Sequence, residues 1–228
     1  LDRYPRTPER DHEVATRAGA DLLWRPRTAD VYRGGSAGST RVVVGDIGTV
    51  LEGRARPGRF DGVATVVVRL LAAVAPDELF LGVKDYQQLV VLRRVVDDLL
   101  LPVQVCAVPT EREPDGIARS SRNAYLDGDG RDAARTIPRA LVAARAAILQ
   151  GARDAAAILG AASAVLTDED RIDVDYLALV DGEGLAPIER LDGRDAVLLV
   201  AARVGSTRLI DNLPIPADAP PDPIEVRP

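Results

Sequence analysis

ELFLGVKDYQQLVVLRRVVDDLLLPVQVCAV, residues 78–108, is the stretch that decides the fold. Its first five residues form an apolar run that reads as a strand, 78–82. DYQQLVVLRRVVDDLLL, 85–101, repeats apolar residues at helical spacing, and Pro102 stops it. PVQVCAV, 102–108, reads as a second, buried strand. Upstream lies an apolar helix near 61–75, with Asp61 at its start as a cap. Helix, strand, helix, strand with short loops predicts a parallel sheet covered by helices. Ligands on such sheets bind at the carboxyl ends of the strands. Two unusually polar loops lie there, 82–85 and 109–122.

Toward the N-terminus, 9–19 reads as a short amphipathic helix ended by Gly19, and ADLLW, 20–24, as a short strand. Residues 25–41 read as a loop, 41–53 as a strand and turn, and 54–63 as a basic Gly/Pro loop. Toward the C-terminus, 131–166 is Ala-rich and reads as two helices broken near Gly151. Three strands follow at 172–181, 196–205 and 206–215, the last two joined by a hairpin at Gly205 and Ser206. The domains are expected at 1–110 and 111–213, and the Pro-rich, acidic stretch 214–228 as a disordered tail.

The 228 residues are 46% hydrophobic and 28% charged, with a net charge of −6. That is a soluble globular profile, and its acidic balance argues against a nucleic-acid binder driven by a global basic field. No apolar run reaches membrane-spanning length and no signal peptide is visible, so a cytoplasmic location is expected. The single cysteine, Cys106, excludes an internal disulfide or a Cys-based zinc site and reads as a buried thiol. No Met occurs anywhere, and the chain opens on LDRYPRTPERD, which suggests a fragment or a processed N-terminus.

Of the 29 Lys and Arg residues only Lys84 is a lysine. In a chain this biased toward Arg, an ammonium at the end of a strand marks a site that wants a compact point charge for an anionic oxygen. Asp85 is placed to cap the following helix or contact a ribose, and Gln88 to bond a small polar substrate. For both Gln88 and its neighbour Gln87 the simpler expectation is solvent exposure, as is common for Gln. In the second loop, VPTEREPDGIARSSRNAYL, two serines and Arg122 offer hydroxyls and a guanidinium to phosphate. The same residues also suit a turn or a helix cap. In the third, Arg54, Arg56 and Arg59 suit a carboxylate or phosphate, with a solvated basic loop as the simpler alternative. No Walker A run and no GxGxxG is present, and with His12 the only histidine no catalytic triad is formed.

Six runs taken in order resemble the pantothenate synthetase (pantoate–β-alanine ligase) family: YPRTPERD, RPGRFDGVATVV, FLGVKDYQQL, VPTEREPDGIARSSRNAYL, VDYLALVD and AARVGSTRLIDN. The resemblance implies an α/β fold: a Rossmann-like parallel sheet of nucleotidyl-transferase type and a smaller α+β C-terminal domain. It implies a homodimer that uses ATP and Mg2+ to join pantoate to β-alanine through pantoyl adenylate. By position, Gly82, Val83, Lys84 and Asp85 would line the ATP site, with Lys84 on the phosphates. Pro109, Thr110, Glu111 and Arg119 would extend that site, and Ser120, Ser121 and Arg122 would grip phosphates. Gln88, Arg56 and Arg59 would face pantoate, and no residue is assigned to a metal.

The chain also departs from the family pattern. The first strand and the HxGH segment are missing, so residues 1–228 are expected to be inactive alone. Val83 stands where the family has Glu, Arg59 where it has His, Arg119 where it has Met, and Val31 and Arg33 flank Tyr32 where it has Met and Pro. Two other readings therefore stand beside the first. One is a degenerate, non-catalytic paralogue; the other is a related acyl-adenylate-forming amide ligase with another acid.

Overall fold

A computed structural model describes residues 6–35 and 40–225. Tyr4 and Pro5 of the YPRTPERD run, residues 36–39 of the expected loop and the last three residues of the expected tail lie outside them. Two compact units divide the chain, one up to Arg41 and one from Val42.

In the first unit, Pro8 at the first helical position, early acids and a late Arg17 set up α1 (Pro8–Arg17), which buries none of its residues. A single turn, α2 (Thr28–Val31), follows, fixed by a two-pronged Arg27–Asp30 pair. The strand expected at 20–24 is absent: Leu22 and Trp24 are exposed, and among the described residues the run has no ladder partner to take its backbone groups.

The second unit begins with another correction. Residues 42–44 join no strand among the described residues, because helix side chains occupy the place of a neighbouring strand. Val42 N donates to Thr65 Oγ1 at 2.9 Å and Val44 N to Asp61 Oδ1 at 3.0 Å. A 3-10 turn (Gly45–Gly48) and α3 (Glu52–Ala55) follow, then α4 (Arg59–Val74). Asp61 is therefore not the cap of α4; Gly58 is, at φ 73°, where a Cβ would be strained.

β1 (Glu78–Gly82) and β2 (Gln104–Val108) pair in parallel, Phe80 opposite Cys106 and Gly82 opposite Val108. The helix between them, α5 (Tyr86–Asp98), is the hub of this half. Its Val91 and Val95 pack with Phe60 and Ala64 of α4, while Val90 joins Val180, Leu185, Val197 and Leu199. Strand β2 is where it was expected, but it is not buried. Alternate residues Glu78, Phe80, Gln104 and Val108 leave one sheet face open among the described residues, with Phe80 62% exposed. Cys106 on that face is half-buried, its Sγ 3.8 Å from Glu78 Oε1.

The Ala-rich stretch forms three helices instead of two: α6 (Gly128–Ala134), α7 (Thr136–Leu149) and α8 (Ala155–Thr167). Asp127 caps α6 by accepting from Gly130 N at 2.7 Å. Buried Ala140, Ala144 and Ala162 let the helices approach closely, and Leu141, Ile158, Leu198 and Leu213 fill the space against the second sheet. That sheet is antiparallel, in the order β3 (Ile172–Asp181), β4 (Ala196–Val204), β5 (Thr207–Ile215). Gly205, at φ 55°, makes the expected tight hairpin. A bulge in β3 falls at Asp175, between Val174 and Tyr176.

The described part of the expected disordered tail, 214–225, is instead tied down. Residues 214 and 215 finish β5, Ala217 N donates to Asp195 Oδ1, Arg145 Nε donates to Pro221 O at 2.7 Å, and Ile224 packs on the core.

Candidate active site

The turn after β1 carries the lone lysine. Val83–Asp85 is a single 3-10 turn leading into α5. Lys84 Nζ lies 3.7 Å from Asp85 Oδ2. Lys84 borders two adjoining clefts of about 320 and 330 Å³ that share Lys84, Ile210 and Asp211. Ser120, Arg122, Ile137 and Arg208 line the first, and Glu52, Arg59, Gln87, Gln88 and Tyr176 the second. The lysine and the Ser–Arg cluster, 36 positions apart in sequence, thus meet at one opening.

Ser120 caps the 3-10 turn Ser121–Tyr125, its Oγ accepting from Arg122 N at 3.3 Å. Arg122 Nη1 in turn donates to Arg208 O at 3.5 Å. Ser120 is thus the cap of this turn and, with Arg122, part of the wall of the first cleft, while Ser121 lines neither cleft. Asn123 is buried beneath it, donating to Glu113 Oε1 and Ala118 O.

Arg59 lies between two carboxylates: Nη1 is 3.4 Å from Glu52 Oε2 and Nη2 3.8 Å from Asp85 Oδ1. Its guanidinium also sits 5.5 Å over the Phe60 ring. Burial and nearby Arg56 pull the guanidinium below its ordinary range, while Glu52 and Asp85 push it back. It remains a cation with donors to spare, facing the cleft that holds Gln88.

Several expected site residues are not brought to the clefts. Arg119 and Glu111 pair with each other at 2.8 Å, with side chains 59% and 67% exposed. Ser121, Pro109 and Arg56 are exposed; Gly82 ends β1; Thr110 and Val83 are half-buried or exposed at the rim; and none of them lines either cleft.

Other residues in the site were not anticipated. Glu52, 4% exposed, accepts a two-pronged bond from Arg208 at 2.7 and 2.6 Å and a third from the Tyr176 hydroxyl at 2.9 Å. Burial would raise its carboxyl, but Arg208, Tyr176 and Arg59 outweigh burial and hold it below the ordinary carboxylate range. Burial and the same carboxylate push the Tyr176 phenol well up. The bulge explains how two consecutive residues reach one arginine: Asp175 accepts from Arg208 Nε, and the Tyr176 ring lies 6.0 Å from the same guanidinium.

Gln87 is a correction to its expected exposure. It is buried, its Oε1 accepts from Glu52 N at 3.0 Å, and its Nε2 donates to Ile47 O and Val50 O at 2.9 Å each. It thereby shapes the loop that presents Glu52. Leu51 in that loop sits at φ 47°, an unfavourable backbone for a residue with a side chain. Buried Asp211 takes a two-pronged bond from Arg112 at 2.7 and 3.0 Å. The one sequence signal for these residues was polar Arg208, Asp211 and Asn212 inside an otherwise apolar strand.

Among the described residues no cluster of three or more His, Cys, Asp or Glu is placed to hold a metal. No described helix is long and apolar enough to cross a membrane. In the second cleft Lys84 and Arg59 face Glu52, Asp85 and Asp211, whereas the first sets Lys84, Arg122 and Arg208 against Asp211 alone, a carboxylate that Arg112 already engages. Such an arrangement suits a bound polyanion.

The sequence model of a family described as Pantoate-beta-alanine ligase matches residues 1–214. A pantothenate synthetase of Rhizorhabdus wittichii is 51% identical over 215 residues, covering 94% of this chain and 75% of that protein. The crystal structure of pantothenate synthetase from Thermus thermophilus is 46% identical with a TM-score of 0.85, covering 92% of this chain and 75% of that one. A pantoate-beta-alanine ligase from Francisella tularensis, solved with beta-gamma ATP and beta-alanine, is 27% identical with a TM-score of 0.68, covering 92% and 70%.

Proposed function

The chain belongs to the pantoate–β-alanine ligase family, and we propose that it takes part in ATP-dependent joining of pantoate to β-alanine. The observation that carries this reading is the meeting of Lys84 with Ser120 and Arg122 at one opening, beside a second cleft holding Gln88 and Arg59. ATP would lie along the first cleft and pantoate in the second. The pantoate carboxylate attacks the α-phosphorus; a new P–O bond forms, the bond to pyrophosphate breaks, and pantoyl adenylate results. The β-alanine amine then attacks the acyl carbon, loses a proton, and expels AMP. Adenylation turns a poor electrophile into a good one. Lys84 and Arg122 neutralise the phosphate charge that builds during the first step, and Gln88 and Arg59 fix the acid in line.

Mg2+ would come to the site together with ATP and would add positive charge there, since among the described residues no cluster of His, Cys, Asp or Glu would hold it alone. The division at 110/111, a homodimer and a cytoplasmic location belong to the same reading. The expected inactivity of residues 1–228 finds no support in the relatives and is set aside.

The test is AMP release from ATP by the full-length protein, dependent on both pantoate and β-alanine. Lys84→Ala should lower the rate about 10²–10³-fold, the cost of losing one charge-stabilising donor. AMP release with a different acid would assign another amide ligase. Absence of release with any acid, in a folded protein, would leave a non-catalytic paralogue.

A further inference from the structure

The only two asparagines in the chain are both buried, and one of them holds the segment that carries the only lysine. Asn212, 2% exposed in β5, donates from Nδ2 to two successive carbonyls, Val83 O at 2.9 Å and Lys84 O at 3.0 Å. We propose that Asn212 is the positioning residue for Lys84, setting the direction in which the ammonium enters the shared opening.

Three observations carry this. Val83–Asp85 is one 3-10 turn without a side-chain cap, too short to fix its own direction. Asn212 is itself held rigidly: it stands opposite Leu199 in the β4–β5 ladder, and its N–H donates to Asp211 Oδ1 at 2.8 Å. Among the described residues its buried Oδ1 has no hydrogen-bond partner. Turning the amide over would press that oxygen against two carbonyls, so the chemistry fixes its orientation.

The proposal rests on the functional reading for what Lys84 does, and on geometry alone for how Lys84 is held. The chain's composition supplies the probe. Selective ¹³C,¹⁵N-lysine labelling of the 228-residue chain gives one set of lysine signals, all from Lys84. Asn212→Leu is close in shape and removes both donors together with the unused acceptor. We expect it to keep a cooperative melt near the wild-type midpoint. The Lys84 amide should exchange about tenfold or more faster, and its side-chain signals should shift and narrow as the turn loosens. Unchanged Lys84 signals in a folded variant would overturn the proposal, whatever the melt shows. Should Asn212→Leu not fold, Asn212→Ser, which keeps one donor, is read in the same way with a smaller response.

A second arm uses equilibrium binding of a non-hydrolysable ATP analogue. Lys84→Ala and Asn212→Leu should each weaken binding, and the double variant should bind no more weakly than Lys84→Ala alone. Additive losses would mean that Asn212 acts on something other than Lys84, and would overturn the proposal. If the wild type binds no analogue, the functional reading fails, and the lysine signals still decide how Lys84 is held.

Discussion

In β4, eight of nine residues are buried; in β1, none is. The antiparallel sheet backs onto α7 and α8 through a continuous apolar core, while the parallel pair is touched by α5 and, among the described residues, open on its other face. The residues suited to chemistry nevertheless sit on segments leading out of the thin region: Lys84 after β1, Arg122 after β2, Arg59 at the start of α4. The thick region reaches across to hold them from one strand. Arg208 of β5 grips Glu52, Asp211 grips Arg112, and Asn212 grips the Lys84 turn. Rigidity is thus built in one sheet and delivered to loops on the other, which is how a precise site can stand on a sparsely buried frame.

The largest effect should come from cutting one of these tethers. Arg208→Met leaves Glu52 charged, buried and without its two-pronged partner, while Asp175 loses one of its two arginines. Breaking such a pair from one side costs about 3–5 kcal/mol. Urea unfolding should show a midpoint lowered accordingly. A loss under about 1 kcal/mol, the range of an exposed pair, would mean that Gln87, Tyr176 and Arg59 hold the loop carrying Glu52 without Arg208.

The contrast in burial has its own test. Leu198→Ala, in the middle of β4 and fully buried, should cost about 2–5 kcal/mol. Phe80→Ala, in the middle of β1, should change stability by only about 0.5 kcal/mol, despite removing a larger side chain. Comparable losses at both positions would show that something covers the open face.

The same contrast explains what could be read from the sequence. The strand–helix–strand order, the GVKD turn and the hairpin at Gly205 rest on local pattern, and all are present. That Lys84 and Arg122 line one cleft is instead a matter of topology, since both follow the carboxyl ends of parallel strands. Residues 20–24 and 42–44 have strand-like composition but no described strand beside them, a fact no single segment contains. Glu52 meets Arg208 across 156 positions and Asn212 meets Val83 across 129. Strand periodicity says that a polar residue in β5 faces something; only the packed chain says what. Gln87 and Gln88 are neighbours in sequence and both border the second cleft, yet Gln87 is buried with its amide spent on loop backbone while Gln88 is only half-buried.

Acid should expose the Glu52 tether more gently. Its folded carboxyl lies below its ordinary value, so the stabilisation is complete above about pH 5 and is lost as pH falls through the folded value. Glu52→Gln cannot take up that proton. Its stability should therefore start lower at pH 7 and fall less steeply between about pH 5 and 3 than the wild type's. Chemical unfolding at a series of pH values measures both slopes. Equal slopes would assign acid sensitivity to other carboxylates, such as Glu113 beside Asn123 and Arg131.

The smallest effect is expected where sequence position and structure disagree most. Arg119 was assigned to nucleotide by its place before Ser120, but it pairs with Glu111 in solvent, outside both clefts. An exposed pair of this kind contributes about 0–1 kcal/mol. Arg119→Ala should leave the melting midpoint nearly unchanged and lower ATP-analogue affinity less than about twofold at about 0.15 M salt, where long-range attraction is screened. A much larger loss of affinity would show that the loop bearing Arg119 swings inward when nucleotide binds. The surface proposed to meet phosphate would then reach beyond Lys84, Ser120 and Arg122 to a pair, Arg119 and Glu111, that stands in solvent.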